Sequence, residues 1–174
     1  MLTDGDRDLI DKLHEWNDSK RLALNFTDVH DLTSSSDNSN NCSIKHSLRQ
    51  RLNLCKTFVL IVGKYTKGLR SGSCALCSKY RKGLYGIAPY CYSSSCNTID
   101  YRSYVDYECE MALKDYNEGK LKNIVVIYNG LLNVDKSRCP DCLKNIGVHI
   151  ASDTIGADGT RRWDYQNIKN AISK

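Results

Sequence analysis

The apolar positions of the chain follow two different periods, one typical of helices and one typical of buried strands. Apolar residues recur every three or four positions over 6–17 and again over 43–55, which predicts two amphipathic helices. The second helix leads directly into a continuous apolar run at 57–63, and a similar run at 123–130 follows a third helical stretch at about 103–117. Continuous apolar strands are typical of parallel sheets that are covered on both faces.

Shorter elements complete this pattern. Alternating residues predict a short strand at 22–26, and a weaker apolar run predicts another at 148–151. The stretch 33–41 consists almost entirely of Ser, Asn, Asp and Thr, which predicts a loop, and a closing helix is expected at about 165–172. Because helices and apolar strands alternate, we expect an α/β fold with a parallel sheet flanked by helices. The length fits a single domain, 1–174.

Residues 68–101 interrupt this alternation. They carry four cysteines together with several tyrosines and glycines, and their apolar positions show no period. They follow a predicted buried strand and precede a predicted helix. In open α/β sheets, ligands bind beyond the carboxyl ends of the strands. We therefore predict a Cys- and Tyr-rich insertion at this edge of the sheet, beside a binding site.

The composition narrows the classes of function. The net charge of +5 is modest and both signs are mixed along the chain, which disfavours a nucleic-acid-binding domain. Such a domain would have to use the basic residues of the insertion, which are Arg70, Lys79, Arg81 and Lys82. The chain has no run of about 18 apolar residues, so we expect no membrane-spanning helix. The acidic start differs from a secretory signal, and the expected location is the cytoplasm.

The nine cysteines are more than a chain of this length needs, because it can bury a core without cross-links. The four in the insertion have the spacing C-x2-C-x13-C-x4-C, which is close to that of a four-thiolate structural zinc site. They are Cys74, Cys77, Cys91 and Cys96. One structural zinc ion, free thiols and a disulfide all remain open as explanations of this spacing.

The other cysteines indicate ordinary packing. Cys42, Cys55 and Cys109 lie on or beside predicted helices and are expected to be helix-face or buried thiols. Cys139 and Cys142 form a C-x-x-C pair, which can be redox-active. Because this pair occurs late in the chain rather than after an early strand, we favour an ordinary loop.

Several common catalytic motifs are absent. The sequence has no G-x-G-x-x-G and no G-x-x-x-x-G-K-[ST], which argues against an ordinary dinucleotide fold and against a P-loop. It also lacks G-x-S-x-G, which argues against an α/β hydrolase. No two histidines have the spacing of a protease-type catalytic zinc site.

The third helix carries two glutamates that are expected to face different surroundings. Glu110 has Lys114 one turn later, a pattern typical of a solvated face with a favourable ion pair. Glu108 shares its face with Tyr104 and Met111, so it borders the apolar stripe. A carboxylate in this position, beside an insertion, is a candidate for catalysis. The alternative is an edge glutamate that pairs with a lysine or arginine.

Several short motifs follow one another along the chain. They are Asp4–Asp8, Trp16, Phe26–Asp31, Ile44–Arg51, Val59–Lys67, Tyr104–Leu113, 124–129 and 138–140. In this order they resemble the TIR-like proteins of bacterial Thoeris anti-phage systems. The resemblance implies the TIR version of a flavodoxin-like sheet, with the first strand reduced here to residues 1–3.

The resemblance also implies an activity, the cleavage of the nicotinamide glycosidic bond of NAD. Glu108 matches the catalytic glutamate of that family, and Tyr104 matches an aromatic residue one turn earlier. Asp4, Asp6 and His30 are further candidates for binding the substrate, although a capping or surface role is the alternative for His30. A carboxylate beside the ribose can stabilise the positive charge that develops as nicotinamide leaves.

The resemblance implies partners as well. NAD would be the substrate, and the ADP-ribose product, often cyclised, would be a diffusible signal that activates a separate effector protein. A homo-oligomer is compatible with this scheme. The competing interpretation is a non-catalytic TIR-like module that binds a nucleotide or associates with its own kind. The insertion before Glu108 could form a specificity lid or could cover the site and abolish turnover.

Overall fold

The computed structural model describes residues 4–22, 24, 26, 40–83, 85–92, 96 and 98–173, with residues 4–6 described by their backbone alone. The helices are α1 (Asp4–Asp18), α2 (Asn41–Leu52), α3 (Tyr104–Asn117) and α4 (Tyr165–Ile172). The strands are β1 (Thr57–Val62), β2 (Tyr80–Arg81), β3 (Tyr90–Cys91), β4 (Asn123–Tyr128), β5 (Val148–Ala151), β6 (Asp153–Ile155) and β7 (Arg161–Trp163).

The centre of the fold is a parallel sheet with the strand order β1-β4-β5. All six side chains of β4 are buried, because this strand has a partner on each edge and helices on both faces. Its continuous apolar sequence follows directly from that position. The expected α/β fold with a parallel sheet flanked by helices is confirmed, and the three strands of this sheet lie side by side in chain order, as in part of a flavodoxin-like sheet.

Alternate residues of β4 build two separate cores. Val125 and Ile127 pack against α1 and α4 on one face of the sheet. Ile124, Val126 and Tyr128 pack against α3 on the other face. The molecule therefore has three layers, and α1 and α3 lie on opposite sides of the sheet.

The structure confirms most predicted elements and corrects one. At the predicted strand 22–26, none of the described residues lies in a strand. Instead the side-chain amide of Asn17 pairs with the backbone of Phe26, donating to its oxygen and accepting from its nitrogen, both at 3.0 Å. The sequence pattern also misses the antiparallel pair β6–β7. Both strands are short, and most of their residues are polar. The predicted loop 33–41 lies outside the described residues except for its last two positions.

Two features set the position of α3. It links the parallel strands β1 and β4, so it runs antiparallel to them and begins near the carboxyl ends of the strands. Ser103 caps its first turn, because the Ser103 hydroxyl accepts a hydrogen bond from the backbone of Asp106 at 3.0 Å. Among the described helices, none has the length and apolar character needed to cross a membrane.

Candidate functional site

Glu108 lies on the side of α3 that faces α2. Residues one or two turns away on this side make the contacts between the two helices. The Tyr104 hydroxyl donates to Asn41 at 3.0 Å, and Asp115 receives two hydrogen bonds from the Arg49 guanidinium at 2.7 and 2.9 Å. Helical spacing therefore turns Glu108 toward the seam between α2 and α3, on the face that it shares with Tyr104.

The Glu108 carboxyl is in an unfavourable place for a negative charge. It is half-buried, and burial raises its pKa to about 7 while the positive charge of Arg51 acts in the opposite direction. Within the described part of the chain, no hydrogen bond or ion pair to this carboxyl is found. The alternative of an ordinary paired edge glutamate thus has no support among these residues.

Arg51 is a site residue that sequence reasoning missed. Its side chain is buried on α2 and its charge acts on Glu108. Buried arginines are uncommon, and this one stands next to Leu52 and one turn after Leu48 on the apolar side of its helix. That position in the apolar stripe is the signal that could have identified it.

Tyr104 is held by neighbours on both sides. Its backbone nitrogen donates to Ser71 at 2.7 Å, and its hydroxyl reaches Asn41. Gly72 packs against its ring with a φ of +100°, and a Cβ atom on Gly72 would lie 2.5 Å from Tyr104 Cδ1. Tyr104 therefore joins the insertion to α2, and its predicted role in binding substrate stays a prediction.

A second polar anchor joins the insertion to both helices. Lys45 donates to the backbone oxygen of Arg102 at 2.7 Å and forms an ion pair with Asp100 at 3.3 Å. Arg102 pairs with Asp100 at 2.8 Å and with Glu110 at 2.7 Å. Burial opposes ionisation of Asp100, but the hydrogen bonds from Arg102 and the charge of Lys45 lower its pKa to about 2. Glu110 is exposed as predicted, yet its partner is Arg102 rather than Lys114.

Three of the predicted substrate-binding residues are not located by the structure. His30 lies outside the described residues, and so do the side chains of Asp4 and Asp6 at the start of α1. Their proposed roles stay predictions.

The cysteines of the insertion gather around the start of α2. The sulfur atoms of Cys42, Cys91 and Cys96 all lie within 4.8 Å of one another. Cys74 is buried nearby, and its sulfur accepts a hydrogen bond from the backbone of Asp100 at 3.4 Å. The sequence spacing groups Cys77 with Cys74, Cys91 and Cys96, and it gives no sign that Cys42 joins them, because Cys42 is remote along the chain.

The C-x-x-C pair lies under α3 in the core. Cys139 is fully buried next to Tyr128, and Cys142 packs against the cluster that contains Cys109. All three thiols belong to or pack on the apolar cluster between α3 and the sheet. This packing agrees with an ordinary structural loop.

Two hollows on the described surface both lie away from Glu108. One, of about 670 Å³, lies beside β5 and β6 and is lined by residues such as His149 and Asp153. The other, of about 440 Å³, follows the outer side of α3 between Glu110 and Glu118. Neither is lined by Glu108.

Residues 3–71 match the family model described as "Thoeris protein ThsB, TIR-like domain". The matched range includes α1, α2 and β1. The resemblance seen in the sequence motifs is therefore confirmed for this part of the chain, whereas α3 with Glu108 lies beyond it. The chain matches no curated protein and no solved structure.

Proposed function

We propose that this chain is a TIR-like defence module that cleaves the nicotinamide glycosidic bond of NAD, with Glu108 as the catalytic carboxylate. The observation that carries the proposal is the state of Glu108. It is a half-buried carboxyl with a raised pKa, it has no hydrogen-bond partner among the described residues, and it faces the seam between two helices. Groups with strongly perturbed pKa values cluster at active sites.

The chemistry requires a negative charge beside the ribose. When the bond from the ribose C1′ to the nicotinamide nitrogen breaks, its electron pair leaves with nicotinamide and positive charge develops on the sugar. An ionised Glu108, shielded from water, would stabilise this charge more strongly than a solvated carboxylate. The C1′ atom then accepts electrons from water, or from a nucleophile at the adenosine end of the same molecule.

Substrate binding itself would favour the ionised form of Glu108. The nicotinamide ring of NAD is cationic, and a positive charge close to a carboxyl lowers its pKa. The buried Arg51 acts in the same direction before the substrate arrives. Arg51 is in this view a positioning residue, because it acts on the charge of Glu108 and need not touch the substrate.

The released ADP-ribose, or its cyclised form, would be a diffusible nucleotide. In a TIR-like defence module, such a nucleotide would act as the signal to a separate effector protein.

The direct test is chromatography of the products after the purified full-length chain is incubated with NAD. We expect release of nicotinamide, and Glu108→Gln should lower kcat/KM by about 100-fold or more because the charge that stabilises the transition state is lost. The matched control is Glu110→Gln, half a turn away on the exposed side of the same helix, which should change kcat/KM by no more than about 3-fold.

The pH profile gives an independent readout. If ionised Glu108 is the active form, kcat/KM should increase as the pH rises through about 7, the pKa of this group in the free protein. A profile that is flat between about pH 6 and pH 8 would argue against Glu108 as the charge that matters.

A non-catalytic TIR-like module is the second candidate, since Glu108 lines neither of the two hollows described above. This module would bind a nucleotide or associate with further copies of itself. Its signature would be concentration-dependent assembly, no release of nicotinamide even from assembled protein, and a biological effect that Glu108→Gln leaves intact. That combined result would overturn the catalytic proposal.

A further inference from the structure

Three thiols from distant parts of the sequence meet beside the insertion. Cys42 is the second residue of α2, Cys91 ends β3, and Cys96 follows that strand. Their sulfur atoms lie within 4.8 Å of one another, and all three residues are half-buried. In a tetrahedral zinc site with Zn–S bonds of about 2.3 Å, the sulfur atoms are about 3.8 Å apart. The three thiols are therefore close to the spacing that zinc requires.

Cys74 is the candidate for the fourth ligand. Its sulfur is outside the set of three that lie within 4.8 Å of one another. It is buried, it interacts electrostatically with Cys96, and its sulfur accepts the backbone N–H of Asp100 at 3.4 Å. A hydrogen-bond donor to a ligand atom is a regular feature of the surroundings of protein-bound metals, because it orients the ligand. Cys74 thus already has the kind of support that a bound thiolate uses.

The close approach of three thiols suits the binding of a cation. Thiolates without a cation would repel one another in this position. A divalent metal ion reverses that balance, because its charge stabilises several neighbouring thiolates at once.

Among the described residues of the insertion, no cluster of buried apolar side chains holds it together. Its strands β2 and β3 have two residues each, and its large apolar side chains are largely exposed, including Leu76 at 66%, Ile87 at 65% and Tyr85 at 103%. Small structures without a core usually need disulfides or a metal. The hydrogen bonds made by Lys45 and Tyr104 lie along the same seam as the cluster of thiols.

We propose that Cys42, Cys74, Cys91 and Cys96 bind one structural zinc ion, which fastens the insertion to the start of α2. Four soft sulfur ligands in a closed tetrahedral arrangement favour zinc over harder divalent ions. The site differs from the one that the sequence spacing suggests, because Cys42 replaces Cys77. The zinc ion would hold the insertion in place against α2 near Tyr104. It would take no part in the chemistry at Glu108.

Metal analysis of the full-length chain, made with zinc available and purified without chelator, tests the proposal. We expect about one zinc ion per chain in the unaltered protein and less than about 0.2 in Cys42→Ser and Cys96→Ser. Cys77→Ser and Cys55→Ser are matched controls, because both thiols are half-buried like Cys42 but lie outside the proposed set. Both controls should keep about one zinc ion per chain.

The unaltered protein gives a second measurement that does not depend on how the variants fold. X-ray absorption at the zinc edge should show four sulfur neighbours at about 2.3 Å. Fewer than four sulfur neighbours, or nitrogen and oxygen among them, would overturn the assignment.

Other results would also overturn the proposal. They are a zinc content below about 0.1 per chain, iron with inorganic sulfide in place of zinc, a disulfide between Cys91 and Cys96, and full zinc in Cys42→Ser together with its loss in Cys77→Ser. None of these measurements uses NAD. Zinc can therefore be absent while NAD is cleaved, or present while it is not, and the two proposals are tested separately.

Discussion

The central sheet and the insertion beside it are held together by different forces. In the sheet, β4 buries all six of its side chains between two layers of helices. In the insertion, large apolar side chains are exposed, and the contacts that hold it are polar, through Lys45, Asp100, Arg102 and Tyr104. Hydrophobic burial is non-directional and tolerant, whereas polar contacts depend on a few well-placed atoms. A site that is held by such polar contacts can be changed by substitution without repacking the hydrophobic core.

The largest expected effect is a loss of stability in the apolar core of the sheet. Ile127→Ala in β4 should lower the free energy of unfolding by about 2–5 kcal/mol, because it removes buried methyl groups and leaves a cavity. Tyr85→Ala in the insertion should change it by less than about 0.5 kcal/mol, because Tyr85 is fully exposed. Urea unfolding of both variants measures the difference, and equal losses would contradict the contrast between the two regions.

A somewhat smaller effect on stability is expected from the carboxyl of Glu108, at the seam between α2 and α3. Burial raises the pKa of Glu108 to about 7, above the value of 4.5 expected in the unfolded chain. Between these values the folded protein binds more protons than the unfolded one, so its stability falls as the pH rises from about 4.5 to 7. Glu108→Gln removes this penalty, and it should stabilise the protein by about 2–3 kcal/mol more at pH 8 than at pH 5.

Urea unfolding at both pH values checks this prediction, with Glu110→Gln as the control. Glu110 forms an exposed ion pair with Arg102, so its loss should cost less than about 1 kcal/mol. A Glu108→Gln variant with the same stability difference from the unaltered protein at both pH values would show that Glu108 is not strained by burial. A gain in stability together with a loss of NAD cleavage would be typical of an active-site residue.

The smallest expected effect tests the close packing at Tyr104. Gly72→Ala has to accept both a φ of +100° and a Cβ contact of 2.5 Å with the Tyr104 ring, and we expect it to cost about 1–3 kcal/mol. Gly119→Ala is the control, because it has a φ of +72° but no atom within 4 Å of the added Cβ. Its cost should be about 1 kcal/mol, and the difference between the two variants measures the contact with Tyr104. Equal losses of stability in the two variants would contradict close packing between Gly72 and the Tyr104 ring.

The sequence predicts the core elements well because their signal is local. The apolar run of β4 and the helical spacing of Glu108 both depend on residues that are neighbours along the chain, and both agree with the structure. The predicted strand 22–26 is wrong at its described residues, because the alternation there reflects side chains that pack into the core without backbone pairing.

The partners of the site could not be predicted in the same way. Arg51 acts on Glu108, and Cys42 meets Cys96, across gaps of more than fifty residues. The local pattern of α2 contains both residues but cannot indicate what lies opposite them. Glu110 shows the same limit, because its local partner Lys114 is less favourable than Arg102, which the loop before α3 brings within 2.7 Å.

By itself the sequence determined the layers of the fold, the helix that carries Glu108, the side on which that residue lies, and a resemblance that holds over residues 3–71. These properties follow from periodicity and short motifs. Only the tertiary structure decided which charges and thiols surround the site, because packing α2 against α3 joins segments whose spacing along the chain carries no information about their distance in space.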